Sequence, residues 1–512
     1  MPEVIVVGAG VGGLSCAAYL AQAGLDVLVL EAQDHVGGAC HTTEQSGFRF
    51  EDGAIWLSMD YVCRRVFAEL GADFDACVPT IKIDVSTRCL LPGGETFDFT
   101  PDADAVATEV ARLSPADAPR FRSFMAEMAR RGEFVAGDLY NRPLDWRGLL
   151  EPTLWRHLGF LLASYQGLVR GAFRDERVRL AFARPTLYLG LPPARCPAAF
   201  ALSAYGEIAG GLRYPYGGMG RIPAALVKLL TGFGATLRTG TPVDHFIIDD
   251  HRISGVQLSN GESLRARAVI SNAHVQPTYL HMVGRAHLPA RVVRKLEALQ
   301  LSLTYFGVQL GLDYVAEGPA NIPALPPLSE MEAFWRTATV DLPTRLYPNV
   351  ALAPANGRIA PAGKSVVSIY HAAPRDPGAP VSATSSPGGW TGRRGAGWET
   401  AKEAFAERLL TAAEANTGLQ LRGHILARRL RTPADLEHEN YLPGGAIYGL
   451  APTLRQSGPF RPANRSPWIG GLYLTGHTTH PGLGVASVMA SGAMTARTLL
   501  QDLGRPSKLV PQ

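Results

Sequence analysis

The residues with the clearest chemical potential stand near the start of the sequence, where three glycines are spaced as Gly8-x-Gly10-x-x-Gly13. Between a strand and a helix, the first glycine makes the tight turn, the second lets a pyrophosphate approach the backbone, and the third lets the helix pack on the strand. The helix N-terminus then offers free N–H groups and a partial positive charge to phosphates. Glu31 stands where a carboxylate can accept hydrogen bonds from both ribose hydroxyls, so the spacing predicts a dinucleotide site. A glutamate at this position, rather than an arginine, disfavours a 2′-phosphate and hence NADP.

The elements around these residues have the pattern that such a site requires. Val4–Val7 and Val27–Leu30 are short apolar runs typical of buried parallel strands, and residues 14–23 between them favour a helix that ends near Gly24. Together they make a complete βαβ unit in about 30 residues. A tight strand–helix turn that binds no ligand is the alternative interpretation, and the position of Glu31 argues against it.

A second glycine pair, Gly37-Gly38, follows the ribose carboxylate, and a domain that binds NAD has no need of it. Residues 31–42 resemble FAD enzymes of the amine oxidase and carotenoid desaturase type, in which this pair brings backbone N–H groups to the far side of the pyrophosphate. Residues 47–53, GFRFEDG, are similar to that group's G-[FY]-x-F-D-x-G pattern, with Glu51 in place of aspartate. The chain thus resembles the phytoene desaturase or carotenoid desaturase–isomerase family of FAD-dependent oxidoreductases, within the amine-oxidase-like flavoproteins.

The C-terminal segment carries the most specific part of this resemblance. Residues 471–485, GLYLTGHTTHPGLGV, are similar to the bacterial-type carotenoid desaturase pattern of a strand, G-x-x-T-H-P-G-x-G and a helix. In that family the loop closes over the flavin, and the helix N-terminus points at the pyrimidine end of the ring, where negative charge grows on reduction. Residues 214–220 and 271–273 are similar to segments that frame the adenosine side. The resemblance implies FAD as cofactor, bound through Gly8, Gly10, Gly12, Gly13, Glu31, Gly37, Gly38, Val243, Asn272, Gly476, Pro481, Gly482, Gly484 and Val485.

The sequence departs from the family pattern around the expected flavin and tunnel mouth. Ala39 replaces the usual arginine, and His477 stands where many members have a small residue. Ile55 and Trp56 replace part of a common Pro-Thr motif, so we take them as candidate substrate contacts, although Trp56 fits a core position equally well. His480 is the one candidate acid–base residue, and we favour instead a histidine that holds the loop backbone. The pattern contains no Ser/His/Asp set and no cluster of metal ligands, so no metal is predicted.

The resemblance implies an enzyme that oxidises a long apolar polyene or isoprenoid by hydride transfer to flavin. An unactivated C–H bond is not acidic enough for an ordinary side chain to deprotonate first, so hydride abstraction precedes proton loss, and the protein mainly orients the chain and excludes water. Oxygen or a quinone would accept the electrons. Residues 38–42 are closer to retinol saturases and carotenoid isomerases, so an isomerase or a reductase remains an alternative. A flavin-free lipid carrier of the Rab escort and GDP-dissociation inhibitor type is an alternative of another class.

Composition agrees with a large folded chain. The 512 residues are 46% hydrophobic and 18% charged, against roughly a quarter charged in an average soluble domain, which excludes a disordered or fibrous protein. The net charge of +4 is too small to indicate nucleic acid. We expect an α/β fold with a discontinuous Rossmann-type FAD-binding domain of residues 1–100, 213–300 and 425–505. A mixed α+β substrate domain would comprise residues 101–212 and 301–424.

Two segments outside the motifs bear on location. Residues 154–173 predict one helix with an apolar stripe, packed on protein or lying in a membrane interface. Residues 374–398, rich in glycine and proline, predict a mobile loop. No apolar run reaches 18 residues, the first residues do not resemble a secretory signal, and the six cysteines form no C-x-x-C pair. We therefore expect a cytoplasmic protein, attached peripherally to a membrane surface, that takes a hydrophobic small molecule.

Overall fold

The computed structural model describes residues 2–140, 152–338, 340–377 and 396–505. Within these residues, five parallel strands form the sheet that carries the predicted βαβ unit. Every residue of its central strand is buried, because helices cover one face of the sheet and strands of residues 243–258 pack with further helical residues on the other. In spatial order the strands are Leu472–Leu474, Ala268–Ser271, Val4–Val7, Val27–Leu30 and Thr236–Arg238.

Two helices cover one face of this sheet in close contact. Val11–Gln22 packs against Val485–Asp502, so the N-terminal and C-terminal parts of the chain meet at the core. A Cβ atom at Gly492 would lie 2.5 Å from the carbonyl oxygen of Gly12, so a glycine is what allows the two helices to approach. The C-terminal helix therefore depends on the N-terminal glycine loop for its position.

A second sheet of seven strands, counted over the described residues, lies beside the first. Its strands pair antiparallel, except that Asn321–Pro323 pairs parallel with Thr87–Leu90. One side packs on the helix Ala396–Thr417 through Phe405 and Leu409, and the other lies toward the helices of residues 103–183. The strand order is Ile425–Arg431, Thr304–Leu312, Ser365–Ala373, Asn349–Leu352, Asn321–Pro323, Thr87–Leu90 and Thr96–Phe99.

Three small sheets and the remaining helices complete the described chain. The small sheets are Val243–Asp249 with Arg252–Leu258 and Ser263–Arg265, Thr42–Gln45 with Phe48–Glu51, and Thr80–Lys82 with Arg213–Pro215. The other α-helices span Asp60–Glu69, Phe74–Cys77, Ala103–Leu113, Ala118–Phe134, Pro152–Leu162, Tyr165–Ala172, Glu176–Ala183, Pro185–Leu189, Leu202–Gly210, Arg221–Gly232, Val275–Pro277, Ala290–Glu297, Met331–Ala338 and Pro433–Asn440. Over the described residues, no helix has both the length and the apolar character needed to cross a membrane.

The predicted helix over residues 154–173 is wrong as a single element. The chain forms two helices, Pro152–Leu162 and Tyr165–Ala172, because the Ser164 hydroxyl accepts a hydrogen bond from the Gly167 N–H at 3.1 Å and starts a new helix. The first helix exposes Leu158 and Leu162, at 39% and 55% of their surface. The second buries Tyr165 and Val169 in the core, so its apolar stripe packs on protein.

Other boundaries also differ from those predicted. The helix after the glycine loop begins at Val11 rather than at residue 14, directly after Gly10. The strands Thr87–Leu90, Thr96–Phe99 and Ile425–Arg431, placed by the sequence in the FAD-binding segments, belong to the seven-stranded sheet. Residues 378–395 of the predicted mobile loop lie outside the described residues, and residues 396–398 begin a helix whose Trp398 is fully buried. The division into two domains stays a prediction.

Candidate functional site

A cavity of about 1480 Å³ opens beside the carboxyl ends of the parallel strands. This is the edge at which open α/β sheets bind ligands. The volume exceeds the roughly 1,000 Å³ reached by ordinary small-molecule pockets, so it has room for a dinucleotide and a second ligand. The predicted residues that line it are Gly8, Gly10, Glu31, Gly37, Gly38, Ile55, Trp56, Val243, Asn272, His480, Pro481, Gly484 and Val485. Gly12, Gly13, Gly476 and Gly482 are not part of this lining.

Contacts within the protein, as well as the open side of the loop toward the cavity, explain the glycines of this loop. A Cβ atom at Gly13 would lie 2.1 Å from the carbonyl oxygen of Gly8, which confirms the close helix–strand packing expected of the third glycine. The Asn272 side chain lies among the remaining glycines. A Cβ atom at Gly10 would lie 2.7 Å from its Nδ2, and one at Gly476 would lie 2.7 Å from its Oδ1. Asn272 thus joins the N-terminal and C-terminal glycine loops.

Two helix N-termini face the cavity without a side-chain cap from the described residues. The helix Val11–Gln22 starts at Gly10, and Val485–Asp502 starts at Gly484. The first turn of each helix also contains no acidic residue. Their free N–H groups and partial positive charge are therefore available to anionic groups of a ligand. One terminus suits a pyrophosphate and the other suits a ring that gains negative charge, which is the pair of functions expected from the sequence.

Glu31 ends its strand at the cavity wall and has a function that the sequence did not indicate. Its Oε2 accepts a hydrogen bond from the Ala9 N–H at 2.6 Å, and its Oε1 accepts one from the Gln33 N–H at 3.0 Å. The carboxylate therefore fixes the backbone of the glycine loop. Each carboxylate oxygen can accept a further hydrogen bond, which leaves capacity for the predicted ribose hydroxyls. Val243 lies on the same cavity, as expected for the adenosine side.

The second glycine pair completes the same wall through backbone contacts. Gly37 and Gly38 have φ angles of 107° and 55°, which favour glycine, and the Gly37 N–H donates to the Ala9 carbonyl at 2.9 Å. Nearby, His41 Nδ1 lies 2.7 Å from a carboxylate oxygen of Asp52. Burial alone would raise the pKa of Asp52, but the hydrogen bond from His41 and the charge of Arg429 lower it to about 2. Asp52 is thus held ionised beside the cavity.

The C-terminal loop is held by an arginine that sequence reasoning missed. Arg461 is buried, and its guanidinium donates to the carbonyl oxygens of Gln456 at 3.1 Å and His477 at 2.8 Å. A Cβ atom at Gly482 would lie 3.2 Å from Arg461 Cζ. This contact with Arg461 restricts the size of the side chain at position 482. Burial lowers the pKa of Arg461 to about 10, so it stays charged at neutral pH.

The histidines of this loop are neutral. His480 Nε2 donates to the Leu139 carbonyl at 2.6 Å, which ties the loop to the turn of residues 135–139. Burial, and to a smaller extent the charge of Arg461, lower the pKa of both His480 and His477 to about 4. The hydrogen bond fits the favoured interpretation of His480 as a residue that holds the backbone.

The predicted substrate contacts lie where the cavity turns toward the seven-stranded sheet. Trp56 is half-buried, and its Nε1 donates to Asn321 Oδ1 at 2.8 Å, which fixes the ring plane. Beside it, Glu51 accepts hydrogen bonds from the Tyr214 hydroxyl at 2.5 Å and the Met219 N–H at 2.9 Å. Burial raises the pKa of Glu51 to about 7 in spite of these bonds. Glu51 is therefore a titratable group at neutral pH that sequence reasoning treated only as a motif position.

A further group of polar residues on the cavity was not predicted. Arg184 and Glu207 form an ion pair whose side chains are only 4% and 8% exposed. The sequence did carry a signal for them, because each is the lone charged residue in an apolar run, residues 180–191 and 196–212. Among the described residues, no group of three or more His, Cys, Asp or Glu side chains is placed to hold a metal ion.

These features fit FAD. The uncapped helix termini can receive the pyrophosphate and the electron-accepting ring, Glu31 has acceptor capacity for the ribose, and the cavity has room for the whole cofactor. The remaining apolar volume is available to a second ligand. Fold and site together fit the class of flavin-dependent oxidoreductases.

Comparison with known proteins agrees with this class. The family model for flavin containing amine oxidoreductase matches residues 11–305. The phytoene desaturase of Neurospora crassa is 30% identical, over 99% of this chain and 86% of that protein. The all-trans-zeta-carotene desaturase of Myxococcus xanthus is 30% identical, over 98% of this chain and 94% of that protein. A solved putrescine oxidase with bound putrescine has a TM-score of 0.64 at 17% identity, over 98% of this chain and 99% of its own, and supports the fold alone.

The chain belongs to the flavin-containing amine oxidoreductase family and, within it, to the family of the phytoene and carotenoid desaturases. It is an oxidoreductase with FAD as its cofactor, and the predicted α/β FAD-binding fold is confirmed. The assignment of individual residues to parts of the cofactor stays a prediction, because it rests on family resemblance and on position in the cavity.

Proposed function

We propose that the protein introduces a double bond into a long apolar polyene or isoprenoid by two-electron oxidation of a CH–CH unit. FAD, when bound, supplies the hydride acceptor. The observation that carries the proposal is the continuity of one cavity, from the glycine loops through Ile55 and Trp56 to the leucines of the helix Pro152–Leu162. An elongated apolar path of this kind suits a chain molecule, because each buried CH₂ gains roughly 0.8 kcal/mol.

The chain's own residues orient the substrate and exclude water in this proposal. The bond from Trp56 to Asn321 keeps the indole plane fixed, so one face of the ring can guide a flat conjugated chain. Leu154, Leu161 and Met59 line the path with apolar surface. Exclusion of water protects a cation-like state on the substrate until a proton leaves.

We propose that His480 positions the loop and does not itself accept the proton. Its Nε2–H is bound to Leu139, and its lowered pKa of about 4 makes it a weak base. His480→Gln retains a side-chain N–H donor, so it should keep flavin content and at least about half of the activity, whereas His480→Ala should lose most of both. A fall of about 100-fold in kcat for the glutamine variant, with normal flavin content and a changed pH profile, would instead indicate proton transfer.

We extend the proposal to delivery of the substrate from a membrane surface. Trp155, Leu158 and Leu162 are exposed on the helix Pro152–Leu162, and the two leucines also line the cavity. An apolar helix face at a cavity mouth suits an interfacial helix that draws a lipid-soluble substrate from the bilayer. The six cysteines are free thiols, which agrees with the proposed cytoplasmic location. Oxygen or a membrane quinone would then accept the electrons.

The experiment that tests the proposed function is anaerobic incubation of the FAD-loaded protein with vesicles that contain phytoene or ζ-carotene. We expect loss of the oxidised flavin absorbance and a product lighter by two hydrogens for each flavin reduced. Subsequent addition of oxygen or of a quinone, in separate samples, identifies the acceptor by the rate at which the absorbance returns.

Other outcomes of this experiment identify the alternative functions. A product of unchanged mass with altered double-bond geometry would establish an isomerase, and a heavier product formed only with pre-reduced flavin would establish a reductase. Protein that binds the polyene while its flavin stays oxidised and the polyene stays unchanged would be a carrier. Each of these results would overturn the proposed desaturation.

A further inference from the structure

A short helix from the seven-stranded sheet borders the cavity near the glycine loops, and no motif in the sequence predicted it. The helix Pro433–Asn440 directly follows the edge strand Ile425–Arg431. Its last two residues and Tyr441, which comes next in the chain, line the cavity together with Glu31. The helix therefore brings a segment that follows the second sheet to the part of the cavity where the adenosine half of FAD is predicted to bind.

Gln33 links this helix to the carboxylate predicted to bind the ribose. Its side-chain Nε2 donates to the Glu439 carbonyl at 2.8 Å, and its backbone N–H donates to Glu31 Oε1 at 3.0 Å. Gln33 thus contacts Glu31 on one side and, on the other, the residue two places before Tyr441. Burial, and to a smaller extent the charge of Glu31, raise the pKa of Tyr441, which agrees with two side chains that lie near each other.

A buried arginine of the edge strand holds the end of the helix in place. The guanidinium of Arg431 pairs with the Glu439 carboxylate and donates to Asn440 Oδ1 at 2.8 Å. It also pairs with the ionised carboxylate of Asp52 at 3.5 Å. Because these contacts involve the two residues before Tyr441, they fix the position from which its side chain starts.

Tyr441 has a backbone conformation that tyrosine rarely adopts. Its φ of 51° and ψ of 36° lie in the left-handed region. At the end of a helix this conformation is usually taken by glycine, because a Cβ atom makes it unfavourable. A tyrosine at this position is therefore worse for the helix end than a glycine. Strained residues of this kind cluster at ligand sites, where the side chain has a function other than folding.

We propose that the aromatic ring of Tyr441 packs against the adenosine half of FAD and helps to retain the cofactor. Tyr441 lines the cavity and has 40% of its surface exposed, so a ligand can reach its ring. An aromatic ring offers a large, flat apolar face, and such faces stack on nucleotide bases. Glu31 and Tyr441 would then bind the same half of the cofactor, one through its charge and the other through its ring. The inference concerns the cofactor and does not depend on which polyene is the substrate.

The test compares binding of FAD and of ADP to the deflavinated full-length protein. FAD is titrated by the quenching of its fluorescence, and ADP is measured by its competition with FAD. Tyr441→Gly removes the ring at a position that favours glycine, so the urea midpoint of the deflavinated protein should not decrease. Its affinities for both FAD and ADP should nevertheless fall about tenfold, as expected when a stacked aromatic ring is lost. Tyr441→Phe keeps the ring and should bind both ligands within about twofold of wild type.

The matched control is Tyr61→Ala, because Tyr61 also lines the cavity and is similarly exposed at 46%, but lies on the helix Asp60–Glu69. It should retain the wild-type affinity for ADP. Equal FAD affinity in wild type and Tyr441→Gly would overturn the proposal. A loss of FAD affinity without a loss of ADP affinity, or a wild type in which millimolar ADP does not compete with FAD, would overturn the assignment to the adenosine half. Binding by Tyr441→Phe as weak as that of Tyr441→Gly would assign the effect to the hydroxyl and would likewise overturn a role for the ring.

Discussion

The two ends of the cavity are built from different parts of the polypeptide. At one end, which we call the glycine end, the wall consists of backbone N–H groups and helix termini. They belong to Gly8, Gly10, Gly37, Gly38 and the start of the helix Val485–Asp502. At the other end, which we call the polyene end, the wall consists of side chains from helices and from the seven-stranded sheet. A ligand can reach backbone N–H groups only where no side chain stands in the way. A wall made of side chains can instead be built from many combinations of residues with a similar total volume.

This difference explains why resemblance to a family identifies the cofactor itself but identifies the substrate only as a class of molecule. The glycine end must keep short contacts such as the one between Gly13 and the Gly8 carbonyl, and any larger residue is excluded. At the polyene end, Ile55 and Trp56 form the wall with their side chains, so we expect residues of similar volume to replace them while the fold and the cofactor site persist. The predictions below test whether the two ends respond to substitution as differently as this comparison requires.

The largest effect is expected for Gly13→Ala at the glycine end. The new Cβ atom would lie 2.1 Å from a backbone oxygen that cannot move without displacing the strand. We expect loss of bound FAD and a decrease in the free energy of unfolding of at least about 3 kcal/mol. Flavin content per chain and urea unfolding measure the two effects.

Gly232→Ala is the matched control. Gly232 is the last residue of the helix Arg221–Gly232, and a Cβ atom there would have no other atom within 4 Å. It should bind FAD normally and gain stability slightly, by about 0.5–1 kcal/mol. If Gly13→Ala holds FAD as well as this control, the backbone account of the glycine end is wrong.

The next effect is expected for Glu31→Ala. The change leaves the Ala9 N–H without its acceptor and removes the hydrogen bonds predicted to the ribose, each of which contributes roughly 1.5–3 kcal/mol when the acceptor is charged. FAD affinity, measured by titration of the deflavinated protein, should fall about 100-fold or more. Glu31→Gln keeps one acceptor and should show a smaller decrease. Equal affinity for wild type and the alanine variant would count against a role for Glu31 at the cofactor.

A smaller effect, with a defined pH dependence, is expected for Glu51 between the two ends. Burial raises its folded pKa to about 7 from an ordinary value of 4.5, so the folded state binds a proton more tightly than the unfolded state. Its contribution to stability is complete below about pH 4.5 and is lost as the pH rises through 7. Wild type should therefore lose about 2–3 kcal/mol between pH 5 and pH 8 from this group.

Glu51→Gln removes the titration while it keeps an acceptor for Tyr214 and Met219. Urea midpoints at four pH values compare the two proteins. Asp52, next to it, has its pKa lowered to about 2, so it stays ionised over this range and does not obscure the result. Parallel pH dependence in wild type and variant would show that Glu51 is not the titrating group.

The sequence predicted the glycine end of the cavity better than the polyene end. The βαβ unit was predictable, because local residue order specifies a turn, a strand end and a helix start. The second glycine pair and the C-terminal loop were instead recognised by their resemblance to a family, and their contacts with the cofactor stay predictions. The convergence of the glycines on Asn272 was not predictable, since it joins segments separated by more than 200 residues. The contact between Gly482 and Arg461 was also missed, because it depends on how the chain folds back on itself between the two residues.

At the polyene end, local patterns were a weaker guide. The apolar stripe of residues 154–173 indicated one helix, but a single serine cap at Ser164 divides it, and only the first half exposes leucines. The pairing of Arg184 with Glu207 depends on packing between two helical segments, which neither apolar run specifies alone. Tertiary contacts, and not helix propensity, therefore determine the structure of the polyene end.

The smallest effect on the folded protein, and the sharpest contrast with the glycine end, is expected for Leu158→Glu with Leu162→Glu. Both side chains are exposed, so stability in water should change by less than about 0.5 kcal/mol, and flavin content should stay normal. Wild type should float with anionic vesicles, whereas the double variant should remain at the bottom of the gradient, because two carboxylates at the membrane interface oppose insertion of the helix. Val340→Glu with Leu426→Glu is the control, since these residues are similarly exposed at 45% and 49% but do not line the cavity. That control should float like wild type. If wild type does not float, or if all three proteins float equally, the helix Pro152–Leu162 is not the membrane contact, and the polyene must reach the cavity by another route.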